Sequence, residues 1–269
     1  MDSTGGYGQT GTIAIGTNAL TALTTGAGNT AVGYLALATE DAGGKNTAIG
    51  YQALTTVNAD DGKNTAVGYN AATALSTAYL CTIVGAEAAD ELTTGISNTV
   101  VGARALNAAD GSEAYNVVIG TDSMAGVNNN SSVSNIAIGV DSLSGGSGAL
   151  IGNIAIGRNA LNSTTNQAQT GTIAIGHDAL TALTNGAGNV ALGYGALKEN
   201  INGGQNIAIG YGAMDGSGGS NPSTSDHNTF IGTDSGGGDW SAGADLDNEY
   251  NVAIGNYTMS ANLAGADNN

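Results

Sequence analysis

The sequence predicts an all-β chain folded as a parallel β-solenoid, a β-roll or β-helix of about fourteen coils, and three observations carry the prediction. A Gly closing a short apolar run recurs at Gly16, Gly33, Gly50, Gly68, Gly85, Gly102, Gly120, Gly139, Gly157, Gly176, Gly193, Gly210, Gly232 and Gly255, spaced by 17 to 19 residues until two last gaps of 22 and 23. Gly makes up 45 of 269 residues and aromatics only 4%, which leaves little for the thick mixed core of a globular domain. Each unit is too short to bury its own apolar side chains, so it must stack on its neighbours.

Each unit repeats one pattern of columns. An aliphatic residue precedes the Gly, from Ile15 and Val32 to Ile254, and Asn stands four before it except at Thr12, Cys81 and Thr172. A small residue and usually Leu or Met follow three and four after it, as in Ala19-Leu20, Ala53-Leu54 and Ala213-Met214. Gly, Asn and β-branched residues bound two short extended segments per unit, so each coil is expected to hold two strands and two turns. The aliphatics before and after the Gly are expected to fill the lumen, the Gly to allow a tight corner, and stacked Asn residues such as Asn46 and Asn64 to bond along the axis as amide ladders do. Residues 171–194 repeat residues 11–34 with five differences, the trace of a block duplication. The domain reading is an N-terminal partial coil at 1–10 and a single solenoid at 11–269, with loop insertions at 215–228 and 235–251.

Composition excludes several classes. The net charge is −17 with five basic residues, so a nucleic-acid backbone would be repelled. The lone Cys81 excludes an intrachain disulfide and a Cys-based zinc site, and the apolar runs are far short of the roughly twenty residues of a membrane helix. The N-terminal Met-Asp-Ser-Thr-Gly-Gly-Tyr does not read as a secretory signal. Neither terminus reads as a polar capping coil, and this predicts end-to-end stacking of subunits.

Positions four and two before the Gly share one face of the first strand by two-residue alternation. They carry Asn and Ala almost throughout and never a charge, which predicts a face covered by another subunit. Ile83, Val100, Val118 and Phe230 replace Ala in this column and are the expected interface residues.

Units such as Gly-Lys-Asn-Thr-Ala-Ile-Gly-Tyr-Gln-Ala-Leu at 44–54 and Gly-Gln-Asn-Ile-Ala-Ile-Gly-Tyr-Gly-Ala-Met at 204–214 resemble the N-T-A-I-G-Y-x-A-L repeats of phage tail-fibre proteins. They are also similar to the head repeats of trimeric autotransporter adhesins. The resemblance spans about residues 11–259. It implies a left-handed coil, a homotrimer, and a virion fibre or a cell-surface or extracellular filament.

Binding sites are the remaining question. The Tyr column after the Gly, Tyr34, Tyr51 and Tyr69, returns as Tyr194 and Tyr211 and is a candidate for a cell-surface glycan or receptor, or a stack for its own stability. The insertion at 235–251 holds the only Trp, as Asp239-Trp240, then Asp245, Asp247, Glu249 and Tyr250. Trp240, Asp239 and Tyr250 are candidate ligand contacts, and Asp245, Asp247 and Glu249 candidate oxygen ligands for Ca²⁺, without the spacing of a known calcium loop. No nucleophile elbow, phosphate loop or zinc-ligand spacing occurs, and His177 reads as a surface column residue. The expected function is therefore a non-enzymatic structural and adhesive fibre. The alternatives are a self-stacking filament subunit, an adhesin head, an ice-binding protein on the column Thr30, Thr47, Thr65, Thr82 and Thr99, or a polysaccharide-degrading solenoid.

Overall fold

The computed structural model of the chain describes residues 10–58, 62–164, 167–216, 225–238 and 249–260. Among them the chain is all-β with no helix, a parallel β-solenoid. It comprises two compact units, Met1–Ser134 and Asn135–Asn269.

The first unit carries β1 (Ile13–Ile15), β2 (Thr30–Val32), β3 (Thr47–Ile49), β4 (Thr65–Val67), β5 (Thr82–Val84), β6 (Thr99–Val101) and β7 (Val117–Ile119). Each pairs in parallel with the next at strict register, so Thr47, Thr65 and Thr82 stand in line. The second unit carries β8 (Ile136–Ile138), β9 (Leu150–Ile151), β10 (Ile154–Ile156), β11 (Gln169–Thr170), β12 (Ile173–Ile175), β13 (Val190–Leu192), β14 (Ile207–Ile209), β15 (Thr229–Ile231) and β16 (Val252–Ile254). There β8, β10, β12, β13, β14, β15 and β16 pair consecutively in parallel, and β9 with β11 forms a short second ladder.

Backbone groups bond both ways along the stack. The Thr47 N–H donates to the Asn64 carbonyl and the Gly68 N–H to the Ile49 carbonyl, each at 2.8 Å. After the strand the chain turns through alternating left-handed residues, with φ of 54° at Gln52 and 50° at Leu54. Such residues cost about 1–2 kcal/mol apiece, and here their N–H groups are satisfied between coils, Gln52 by Tyr34 at 2.8 Å and Leu54 by Ala71 at 3.1 Å. This left-handed corner replaces the second strand expected in most coils. Gly50 shows why the corner needs glycine: its φ is 143°, and a Cβ there would meet the Gly68 carbonyl oxygen at 2.0 Å.

Strand direction differs from the expectation by one residue. The central residue of each strand points inward and its two neighbours outward: Ala48, Ala66, Ile83, Val100 and Val118 are fully buried, whereas Ile49 is 40% exposed. The aliphatic column before the Gly therefore does not fill the lumen. The Asn and Ala columns do, facing the buried Leu and Met column that follows the Gly. Phe230 and Gly236 prove the pairing. Where Phe230 replaces the usual Ala, the Leu position opposite is Gly236, and a Cβ on Gly236 would lie 2.5 Å from the Phe230 ring. Ile83 with Ala89 makes the same exchange, whereas Val100 with Leu106 and Val118 with Met124 are large pairs buried together.

The lumenal Asn residues form the expected ladder, routed mainly through backbone. Asn46 Oδ1 accepts the Asn64 N–H at 2.9 Å, and Asn64 Oδ1 accepts the Cys81 N–H at 3.0 Å. Nδ2 of Asn64 donates to the Ala78 carbonyl at 2.8 Å. Every polar atom that the narrow lumen encloses at such a rung has a partner, as burial demands.

The pairing across the lumen is testable in a double-mutant cycle. Phe230→Ala should destabilise the chain by about 3–5 kcal/mol, and Gly236→Leu alone should also destabilise it by overpacking. The double variant should recover most of the loss in chemical denaturation; strictly additive losses would contradict the pairing.

Candidate functional site

The inward turn of the Asn and Ala columns overturns the expected interface. Ile83, Val100, Val118 and Phe230 are fully buried within their own coils, so they cannot contact another subunit. The physical reason is the direction of the strand: its central residue points into the lumen, where Phe230 lies against Gly236.

The outward face of the main sheet consists of the first and third strand residues. In the first unit they run from Ile13 and Ile15 through Thr47 and Ile49 to Val117 and Ile119, and in the second from Ile136 and Ile138 to Val252 and Ile254. Every one of these residues is Thr, Val, Ile or Leu, and all are exposed or half-buried. On a chain of net charge −17, an uncharged sheet face lined by Ile15, Ile49, Val101, Ile119, Leu192 and Ile254 among the exposed hydrophobics is the most unusual surface among the described residues. The neutrality of both columns was visible in the sequence; only the direction of the strand was misread.

Beside this face runs the aromatic column. Tyr34, Tyr51 and Tyr69 stack with centroids 5.1 and 5.4 Å apart. In the second unit His177, Tyr194 and Tyr211 stack at 5.2 and 5.1 Å with planes within 10°. Both ring faces of Tyr51 and of Tyr194 are therefore occupied by neighbouring rings, at a spacing set by the coil rise. His177 Nδ1 lies 3.1 Å from Asp178 Oδ2, a surface pair beside the stack. Tyr250 is exposed and stacks on His227 at 5.0 Å. Trp240, Asp239, Asp245 and Asp247 lie outside the described residues, and Glu249 is half-buried.

Two charged features remain. Arg104 donates to both carboxylate oxygens of Asp122, at 2.8 and 2.7 Å, in an exposed bidentate pair that contributes little to stability. A cavity of about 300 Å³ is lined by Lys198, Glu199, Asp215, Gly216 and Gly237. Burial, then the charges of Asp234 and Glu199, push the Asp215 carboxyl above its usual range. Among the described residues, no group of three or more His, Cys, Asp or Glu side chains is placed to hold a metal ion, and no helix is long and apolar enough to cross a membrane.

No protein-family model, curated protein or solved structure matches the chain.

Buried carboxyls give this fold a defined pH response. Glu113 is fully buried, and its Oε1 has no hydrogen-bond partner; burial raises its pKa, as it does for Asp90 with help from Glu91 and Glu87. A carboxyl whose pKa is higher in the fold than in the unfolded chain holds its proton more tightly when folded. Its support for the fold is thus complete below the ordinary carboxylate range and is lost as pH rises through that range to the raised values. The melting temperature should fall as pH rises from about 4, the ordinary carboxylate range, and Glu113→Gln should make that fall shallower. A melting temperature that climbs with pH, or a slope indifferent to Glu113→Gln, would be the contrary result.

Proposed function

We propose that this chain is a structural and adhesive fibre protein, without enzymatic activity, whose outward sheet face is buried against further copies of itself. The observation that carries the reading is the uninterrupted neutrality of that face. Two surfaces of a strongly acidic chain can meet there without apposing carboxylates, and the rows of Val, Ile and Leu are the chemistry of a homo-oligomer interface. The Thr column of the first unit yields to Val117, and the second unit has Ile136, Ile154, Ile173, Val190 and Ile207 in that column. Such a face suits burial better than it suits an ordered ice surface, which needs a continuous rank of hydroxyls.

The resemblance of units such as residues 44–54 to phage tail-fibre and trimeric adhesin repeats supports a left-handed homotrimer in a virion fibre, extracellular filament or cell-surface adhesin head. In this reading, the stack holds its corner residues, the aromatic ladders among them, at fixed intervals along a stiff support for attachment to a cell-surface glycan or receptor. Ca²⁺ binding by the 235–251 segment belongs to the same proposal; end-to-end stacking belongs to the alternative of a self-stacking filament subunit, which would sediment as a series of larger species.

Sedimentation velocity of the full chain tests it. The chain should sediment as a discrete oligomer with the mass of three copies. Leu192→Asp, which places a carboxylate on the outward face, should shift it toward monomer while the β-type circular dichroism is retained. A wild-type chain that remains monomeric at tens of micromolar would overturn the reading.

A further inference from the structure

The lumenal amide ladder of the second unit is broken at Thr172, and the break is not closed. Its incoming half is intact, since the Thr172 N–H donates to Asn153 Oδ1 at 3.0 Å. Its outgoing half is missing. In other coils of 17 residues the Asn amide reaches a turn carbonyl fourteen residues on: Asn29 to Gly43 at 2.8 Å, Asn64 to Ala78 at 2.8 Å, Asn189 to Gly203 at 2.7 Å. Gly186 holds that place for Thr172, and its carbonyl receives only a long 3.5 Å contact from Asn189 Nδ2. The Thr172 hydroxyl is fully buried and has no partner.

The turn itself departs from its equivalents. Gly186 has φ of 121° and is partly exposed, whereas Gly43 and Gly203 are buried. Cys81 breaks the ladder of the first unit at the same rung, but its larger sulfur lies 3.3 Å from the Gly95 carbonyl and bridges the distance. Thr12, the counterpart of Thr172 in the duplicated block, likewise has a hydroxyl without a partner, so the defect is written in both copies. Gln169, in the same coil as Thr172, adds a fully buried Oε1 with no partner.

We propose that a water molecule takes the place of the missing amide, accepting from the Thr172 hydroxyl and donating to the Gly186 carbonyl, and that the turn at 185–188 is where the second unit opens first. Buried polar groups are costly when unpartnered, and a buried water needs two or more such groups; the Thr172 hydroxyl and the Gly186 carbonyl supply two. Solvent enters the lumen at this rung, and the Asn185 and Gly188 amides, which bond to Ile201 and Thr170, lose their protection ahead of those one coil on.

Amide exchange of the full chain, followed by NMR, tests this. The Asn185 and Gly188 amides should exchange about fivefold or more faster than that of Gln205, which bonds to the Ala187 carbonyl, and the Thr172 amide should show a water cross-peak. Thr172→Asn, the residue eleven other coils carry at this rung, should abolish both signatures and raise the melting temperature by about 2–4 °C. Asn189→Thr should transplant fast exchange to the turn at Gly203. The proposal is overturned if Thr172→Asn leaves exchange unchanged or lowers the melting temperature, if the water signal is absent, or if Asn189→Thr leaves the Gly203 turn protected.

Discussion

Coil-to-coil stacking is the constraint from which the other features descend. No coil of 17 to 19 residues has a core of its own, so each is defined by the coil above and the coil below. Stacking fixes the rise at about 4.8 Å, and at that rise every side chain sits upon its counterpart. Neighbours in space are then column mates rather than chain neighbours, as the ring stack of Tyr34, Tyr51 and Tyr69 illustrates. The same rise forbids a Cβ at Gly50, where the Gly68 carbonyl stands 2.0 Å from the position it would take.

The left-handed corners follow from this constraint as well. Gln52, Leu54 and Lys63 all carry positive φ, a conformation unfavourable for each residue taken alone. It persists because the corner directs successive N–H groups to opposite neighbours, Gln52 toward Tyr34 and Leu54 toward Ala71. Leu54 is thereby swung into the lumen while Gln52 stays outside. The charged residues Glu87, Arg104 and Asp122 occupy the outer corner position too, which leaves the flat sheet face free of charge.

Much of this was legible in the sequence, and the misreadings are instructive. The period, the glycine corner, the Asn ladder and the lumenal Leu column all follow from residue types recurring at fixed offsets. The strand face was read by size: Ile and Val before the Gly looked like core, and Ala two before it looked like surface. The first and third strand residues face out whatever their size, and the central residue shares the interior with the column that follows the Gly, as Val100 does with Leu106. A signal for the true direction was present in the exchange of Phe230 for Ala alongside Gly236 for Leu, and of Ile83 alongside Ala89. Compensating volumes identify facing columns in a way that hydrophobicity does not. The second strand was misjudged for a related reason, since positive φ at residues such as Leu54 cannot be inferred from residues that elsewhere avoid it. The Tyr column is legible in the sequence, and its consequence is physical: stacking occupies both ring faces of the central Tyr51 and Tyr194.

The central claim is that the lumenal Asn rungs, with their strands pointing inward, hold the stack together. Asn206 tests it most directly. Its Oδ1 accepts the Asn228 N–H at 2.9 Å, and its Nδ2 donates to the Ser225 carbonyl at 2.6 Å. Asn206→Ala leaves both buried groups without partners, which should cost about 2–5 kcal/mol in the free energy of unfolding measured by denaturant titration. A loss below about 0.5 kcal/mol, the range of an ordinary surface substitution, would contradict the account, because it would mean that Asn206 faces solvent and that the strand points the other way.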